Sequence, residues 1–429
     1  MLALTFVRKR FNSWLIILAC GLFYCYQFSL RVLPNTFSQE FMNAFHVEAA
    51  GLGIIIAAYS AAYAGLQIPL GCALDRIKVH YLLPLAPLIC GSGAALMVFA
   101  DNIIYASAAR FIIGVGSAFG FIGAVKVATR ILPANRISMA IGVTIFFGTL
   151  GAMIAGRPLK WLSEIYSWKE VMLYMACIGA ILSVILLMAL SSVLIKTKRH
   201  ETFLAKRSML KDLKILFKNP QITLLSLYGM LTYLPITVLG IGWGVGYIML
   251  CFKVEYSIAA TSVAFMFMGA GIGSPIIAML SEIFHSRRTI MILSSLMAAI
   301  LYFLLLYGNY SLSEYQIYLC LFLAGVFYSS KTLSFTIACD LVSKNHSALV
   351  TSILNMTVMA SGLIFHPLIG FLLNKGHSDL AIYSKYDYQV ALCVLPISAL
   401  CAFILLLFIK DNMLQKTIAL ENKLVAIDE

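Results

Sequence analysis

The sequence predicts an all-α membrane protein of twelve transmembrane helices, arranged as two pseudo-symmetric six-helix bundles. Three observations favour this fold class: the apolar composition, the number of membrane-length segments, and a repeat that relates the two halves of the chain. Apolar residues make up 61% of the 429 positions, charged residues make up 11%, and the mean hydropathy is +0.93. Soluble domains average about half apolar and a quarter charged, so this composition is typical of a chain that lies in a bilayer.

Twelve apolar segments are long enough to cross the hydrocarbon core as helices, which takes about 20 residues each. A basic polar interval divides them, so the sequence predicts bundles at 1–195 and 220–410, a central loop at 196–219 and a tail at 411–429. The predicted spans are Ser13–Pro34, Ala49–Leu74, Tyr81–Ala100, Ile103–Ala128, Ser138–Gly156, Glu170–Ile195, Gln221–Leu239, Ser257–Leu280, Thr289–Tyr307, Tyr315–Ala338, Ser347–Leu373 and Tyr388–Ile409.

The basic residues predict the orientation of the spans. Their excess gives a net charge of +13, but they are spread along the loops rather than gathered in one patch, which argues against nucleic acid as a partner. If the N-terminus is cytoplasmic, 21 of the 31 Lys and Arg residues lie on the cytoplasmic side, six lie opposite, and four lie within spans. Lys and Arg accumulate in cytoplasmic loops, so both termini are predicted to be cytoplasmic.

A charged turn ends the second span and recurs at the end of the eighth. The first turn carries Gly71, Asp75 and Arg76, and the second carries Glu282, 207 residues after Asp75. A similar shift places the start of the first span on the start of the seventh. Self-similarity at a fixed spacing indicates repeated units, so the chain is predicted to contain two related halves of six spans.

Two motifs resemble those of the major facilitator superfamily. The turn from Gly71 to His80 is similar to its Gly-x-x-x-Asp-Arg loop, although Lys78 stands where the family often has Gly. Arg110 to Gly116 resembles the Arg-x-x-x-Gly-x-Gly motif of the fourth helix. The resemblance covers nearly the whole chain and implies that superfamily's fold, with a central cavity between the halves and alternating access. It implies gating roles for Gly71, Asp75, Arg76, Arg110 and Glu282.

Two further segments, Tyr24–Pro34 and Ala62–Gly71, look like a bacterial uptake branch that includes the phagosomal nutrient transporters. Members of that branch import amino acids, nucleosides or carboxylate siderophores, which implies an importer in a bacterial inner membrane. The fifth span places small residues on one face, as close helix packing requires. It resembles the fifth helix of drug antiporters but lacks their Gly-Pro pair, which weakens an export interpretation. The small residues are Gly148, Gly151, Ala152 and Ala155.

Charged groups within spans are costly and usually functional or paired. No Asp or Glu lies well inside a span, so a negatively charged substrate group could supply the missing charge. The guanidinium of Arg31 suits a carboxylate or phosphate. Of Arg31, Lys331 and His366, Lys331 lies nearest the middle of its span. The candidate ionisable substrate-binding residues are Arg31, Lys126, Lys331 and His366.

Each candidate also has a structural alternative. Lys126 and Lys331 are separated by 205 residues, so the repeat could direct both into one cavity, but Lys126 could equally snorkel to the interface. His366 could be a packing residue or a titrating group, since an unperturbed imidazole changes charge near pH 6.5. Six tyrosines are candidates for lining the cavity, although helix packing is an alternative for each. They are Tyr24, Tyr26, Tyr59, Tyr63, Tyr233 and Tyr328.

The first hypothesis is a secondary carrier that imports a small carboxylate-bearing nutrient, an amino acid or related organic acid, with protons as the coupling ion. The alternatives are an exporter of drugs or siderophores and a non-transporting nutrient sensor. We expect no enzyme activity, cofactor or metal, because the sequence has no Walker loop, metal-ligand spacing or nucleophile–base pair. The expected partners are the substrate, protons and the lipid bilayer, and the expected state is a monomer.

Overall fold

The computed structural model describes the backbone of residues 2–76, 79–194, 209–308, 312–343, 346–375 and 383–411. Within these ranges it describes every side chain except those of residues 2–12, 72–76, 134–135, 138, 192–194 and 209–211. Most of the predicted central loop and tail therefore lies outside the described residues. The side chains of Asp75 and Arg76 lie outside them as well, so the gating roles of these two residues stay predictions.

The described chain consists of eighteen α-helices and one π-helical segment. The first eight are α1 Leu2–Thr36, α2 Ser38–Phe45, α3 Ala49–Arg76, α4 Val79–Phe99, α5 Ile103–Ile131, α6 Ala134–Ala155, α7 Arg157–Ile165 and α8 Trp168–Leu194. The others are α9 Met209–Lys218, α10 Pro220–Pro235, the π-helical segment Ile236–Trp243, α11 Gly244–Phe252, α12 Tyr256–Ile283, α13 Arg287–Tyr307, α14 Glu314–Tyr328, α15 Lys331–Asp340, α16 Ser347–Lys375, α17 Lys385–Leu392 and α18 Val394–Leu406.

Twelve segments of the described chain are long and apolar enough to cross a membrane, which confirms the predicted number. Ten of them match the predicted bounds to within four residues. The fifth continues through α7 to Ile165, because Gly156 interrupts the helix without ending the apolar segment. The predicted end of the seventh span at Leu239 is wrong, since that span continues to Phe252. Its glycine-rich stretch continues the span as the π-helical segment and α11, because a bilayer leaves backbone polar groups to be satisfied within the protein.

Contacts divide the chain into two compact units. Unit 1 comprises Met1–Lys206, Val238–Ala264 and Gly362–Ala391, and unit 2 comprises Arg207–Thr237, Phe265–Ser361 and Leu392–Glu429. Unit 1 therefore combines the first six spans with α11 and with parts of the π-helical segment, α12, α16 and α17. The proposed division of the sequence at residues 196–219 stays a prediction about the repeat.

In unit 1, α5 packs against α3 and α4 through glycines. A Cβ atom on Gly114 would lie 2.9 Å from the Cβ of Ala62 and 3.1 Å from the carbonyl carbon of Tyr59. A Cβ atom on Gly116 would lie 2.6 Å from the Sγ of Cys90 on α4. Real Cβ atoms essentially never approach other atoms within 3.0 Å, so the Gly-x-Gly motif of the fourth span fits a helix in contact with two neighbours.

The small face of α6 packs closely against α1, which is a partner that the sequence did not specify. A Cβ atom on Gly151 would lie 2.9 Å from the Cα of Cys25. Ser29 donates its hydroxyl to the carbonyl of Gly151 at 2.8 Å, and Thr36 donates to that of Ala155 at 2.6 Å. Small residues let two backbones approach until side-chain hydroxyls reach the carbonyls opposite.

Two arginines at the start of α13 hold the helix ends of unit 2. Arg288 donates from Nε to the carbonyl of Leu406 at 2.8 Å and from Nη2 to that of Leu407 at 3.0 Å. The last carbonyls of a helix have no intrahelical donor, so Arg288 caps the end of α18. Arg287 pairs with Asp340, at the end of α15, at 2.7 Å.

Alanine substitutions at Gly114 and Gly142 should separate glycines that permit packing from glycines that do not. Gly114→Ala should lower the melting temperature of the purified protein, because overpacking costs roughly 1–3 kcal/mol. No atom lies within 4 Å of a Cβ built on Gly142. Gly142→Ala should leave the melting temperature unchanged or raise it slightly, because alanine favours a helix by roughly 0.5–1 kcal/mol. Equal melting temperatures for the two variants would contradict the packing argument.

Candidate functional site

Arg31 lies buried in α1, where three aromatic rings surround its guanidinium. Its Cζ atom lies 5.3 Å from the ring centre of Phe28, 5.7 Å from that of Tyr59 and 5.6 Å from that of Tyr63. Only 4% of Arg31 is exposed. The faces of aromatic rings attract a cation, so this aromatic set lowers the cost of placing a charge inside an apolar bundle.

Arg110 of α5 lies beside the same rings and donates to the backbone of α1. Its Cζ lies 5.0 Å from the ring centre of Tyr59, and its Nη1 donates to the carbonyl of Leu30 at 2.7 Å. Pro34 follows Leu30 by four residues and has no N–H with which to bond that carbonyl. Arg110 therefore satisfies a backbone group that a proline within α1 leaves open. The sequence predicted a gating role for Arg110, and the structure places it in the Arg31 cluster.

Gln27 and Tyr59 extend this cluster with further polar groups. Tyr59 donates its hydroxyl to the Oε1 of Gln27 at 3.1 Å. The Nε2 of Gln27 and the Nε of Arg110 are buried and have no acceptor among the described residues. A buried donor without an acceptor costs about 1–3 kcal/mol. The Arg31 cluster thus offers two guanidinium groups and two open N–H donors, an arrangement that an anionic oxygen would satisfy.

His366 of α16 is a histidine in the interior of unit 1. It is fully buried, and neither ring nitrogen has a partner among the described residues. A Cβ atom on Gly242 of the π-helical segment would lie 2.8 Å from its Cε1 and Nδ1. Arg31 and Arg110 are close enough to act on its charge. The structure therefore brings together three of the predicted ionisable or gating residues: Arg31, Arg110 and His366.

Lys331 belongs to unit 2, where it lies within an aromatic group of its own. Its Nζ donates to the hydroxyl of Tyr328 at 2.9 Å and lies 4.9 Å from the centre of that ring. It also lies 4.6 Å from the ring centre of Tyr233 and 5.9 Å from that of Phe335. The predicted neighbours Tyr328 and Lys331 are thus in direct contact, and aromatic faces stabilise the ammonium.

The remaining predicted residues lie apart from these contacts. Tyr26 donates its hydroxyl to the carbonyl of Met175 at 2.8 Å, which favours helix packing between α1 and α8 over the expected substrate contact. Lys126 lies half-buried near the end of α5. Gly71 lies near the end of α3. Glu282 is exposed and forms no ion pair with another described residue, whereas Arg287, five residues later, does.

Sequence reasoning missed two buried amides of α1, Gln27 and Asn35. Gln27 contributes an open donor to the Arg31 cluster, and Asn35 bonds three backbone groups of the seventh span. Two signals could have found them. Amide side chains inside an apolar span need partners, and glycine-interrupted spans often mark sites in transporters.

The chain matches one known protein family over most of its length. The model "Major Facilitator Superfamily" matches residues 17–268 and 236–424. The chain belongs to the major facilitator superfamily. Two solved structures share the fold of this superfamily member. They are a bacterial homologue of the human lysosomal transporter Spinster (TM-score 0.69, 17% identity, 92% of this chain and 95% of that one) and a variant of the nucleoside transporter NupG (TM-score 0.71, 13% identity, 92% and 99%).

Three curated relatives match parts of the chain. The uncharacterized transporter YybO of Bacillus subtilis is 24% identical over 36% of this chain and 35% of its own length. The probable sulfoacetate transporter SauU of Cupriavidus necator is 26% identical over 30% of each chain. The probable galactarate/D-glucarate transporter GudP of Escherichia coli is 24% identical over 42% of this chain and 41% of its own. The matches therefore span about a third to two fifths of these relatives.

Tyr26→Phe should separate packing from substrate contact at this position. The substitution removes one buried hydrogen bond, which is worth about 1 kcal/mol, so the melting temperature should fall modestly. Ligand affinity should stay at the wild-type value, measured by titration of the purified variant with a ligand that stabilises the wild-type protein. A loss of affinity without a change in melting temperature would instead place the Tyr26 hydroxyl in the binding site.

Proposed function

We propose that this chain is a secondary transporter that moves a small, carboxylate-bearing organic anion by alternating access. The observation that carries the proposal is the Arg31 cluster, in which two buried guanidinium groups lie beside open N–H donors of Gln27 and Arg110. Asp and Glu residues within the twelve spans lie only near span ends, as Glu282 and Asp387 do. A substrate anion is therefore a suitable counter-charge for the cluster.

The names of the relatives support an anion as the substrate class. Sulfoacetate, galactarate and D-glucarate, which appear in the names of two of the three curated relatives, are all small organic anions. An organic acid with hydroxyl groups would also offer acceptors to amide donors. We therefore propose sugar acids and short sulfonated or carboxylated acids as the first candidates, with amino acids next. Uptake, with both termini cytoplasmic, is the proposed direction.

Ligand binding by charge variants tests the anion site. Galactarate, D-glucarate, sulfoacetate and a panel of amino acids are screened for an increase in melting temperature, with the neutral polyol galactitol as the uncharged counterpart of galactarate. Anions should stabilise the protein and galactitol should not. Arg31→Lys should weaken binding of the best anion by about 10- to 100-fold, because an ammonium cannot reproduce the planar fork, and a hydrogen bond to a charged group contributes roughly 1.5–3 kcal/mol.

Arg288→Lys is the matched control for this substitution. It makes the same chemical change where the guanidinium donates only to the carbonyls of Leu406 and Leu407 among the described residues. It should lower stability and leave affinity unchanged. Wild-type affinity in Arg31→Lys, or equal stabilisation by galactitol, would contradict the anion site. Binding without movement into liposomes would indicate a sensor.

We propose that His366 couples transport to protons. It is buried within a span and its ring nitrogens have no described partner, so it can gain a proton when its surroundings open. Histidine is the side chain whose charge changes most readily near neutral pH. Like charges repel, so an anion that neutralises Arg31 and Arg110 would favour a proton on His366. Binding of substrate and proton would then support each other.

A comparison of driven uptake with exchange tests this coupling. In proteoliposomes, His366→Gln should lose accumulation driven by a pH gradient and keep exchange of labelled for unlabelled substrate, because exchange needs no net proton movement. His46→Asn is the control, since His46 lies outside the spans at φ 52°, a conformation that Asn also tolerates. Gradient-driven accumulation by His366→Gln at the wild-type level would remove His366 from proton coupling.

A further inference from the structure

The seventh span is interrupted where the π-helical segment Ile236–Trp243 meets α11. Trp243 has φ −125° and ψ −7°, which are not helical values, and its side chain does not cap α11. The first N–H groups of a helix have no intrahelical acceptor. Because this helix start is buried, these N–H groups need acceptors from elsewhere in the protein.

Asn35 of α1 supplies partners on both sides of this break. Its Oδ1 accepts the N–H of Val245, the second residue of α11, at 3.1 Å. Its Nδ2 donates to the carbonyls of Leu239 and Gly240 in the π-helical segment, each at 2.9 Å. Only 2% of Asn35 is exposed. Asparagine is among the best residues for capping a helix start, and here the cap comes from another helix.

Two glycines make this arrangement possible. A side chain on Gly244 would strike the carbonyl of Leu239, whose carbonyl carbon would lie 2.7 Å from the added Cβ. A side chain on Gly242 would strike the ring of His366. The break therefore lies between the amide of Asn35 and the imidazole of His366. Gly242 and Gly244 have no side chains that would collide with their neighbours there.

A cavity of about 760 Å³ adjoins the same break. It is lined by Gly242, Trp243 and Gly246 of the seventh span and by Leu52 and Tyr388, among others. The indole Nε1 of Trp243 is buried without a described acceptor. A cavity of this size with polar lining groups can hold water, so backbone groups released by Asn35 could be hydrated from it.

We propose that Asn35 is a releasable latch that holds the end of the seventh span, residues 236–252, against α1. All three hydrogen bonds come from one side chain, so they form and break together. Breaking them frees one N–H and two carbonyls that water from the cavity can satisfy, which makes the released state accessible. The proposal rests on the alternating-access part of the proposed function, because only a protein that changes state requires a releasable contact.

Amide hydrogen exchange of the purified full-length protein, without substrate, tests the latch. Asn35→Ala removes all three bonds. Exchange in peptides from residues 236–252 should become at least about tenfold faster than in the wild type. Exchange in α4 and α8 should stay unchanged. If Asn35→Ala does not fold, Asn35→Ser, which keeps a shorter polar group, carries the same test.

Ser29→Ala is the matched control, since it also removes a buried bond from a side chain of α1 to the backbone of another helix. It should leave exchange in residues 236–252 at the wild-type rate. Wild-type exchange in the Asn35 variant would overturn the latch. So would acceleration spread evenly over all helices, which would indicate a general loss of stability. The exchange experiment uses no substrate, so its result does not depend on the transport assay. A failure of the proposed transport function can therefore be distinguished from a failure of the latch.

Discussion

The apolar interior of a bilayer provides no water for polar groups. At two places where a helix is disrupted or ends, a side chain from another helix bonds the backbone. Pro34 leaves the carbonyl of Leu30 without a donor, and Arg110 supplies one from α5. At the end of α18, Arg288 donates to the carbonyls of Leu406 and Leu407. An unsatisfied group in hydrocarbon costs several kcal/mol, so these contacts between helices are as necessary as the helices themselves.

Close packing brings those donors within reach. Glycines on α5 and α6 let backbones approach so closely that a Cβ atom would not fit at Gly114 or Gly151. At that separation, a hydroxyl such as that of Ser29 reaches a carbonyl on the facing helix. The small residues therefore do more than fill space, because they determine which side chains can bond across a helix contact.

The functional proposals rest on buried polar groups that have no hydrogen-bond partner among the described residues. Gln27, Trp243 and His366 each carry a buried nitrogen without a partner among the described residues, and all three belong to unit 1. A protein at equilibrium retains such groups only if another interaction or another state compensates for them. An anion beside Arg31, a proton on His366 and water at the break in the seventh span are the compensations that we propose.

The sequence alone determined the fold class and the twelve spans, because crossing a bilayer requires a similar apolar length of every helix. Its composition also showed that acidic residues are scarce within the spans. The sequence also identified Arg31, Arg110 and His366 as unusual, since a charge in a span stands out by itself. It misplaced the end of the seventh span at Leu239 and passed over Gln27 and Asn35. Only the tertiary structure decided those features. Whether a glycine run ends a helix, and whether an amide is buried, depend on the partners that residues from distant parts of the chain provide.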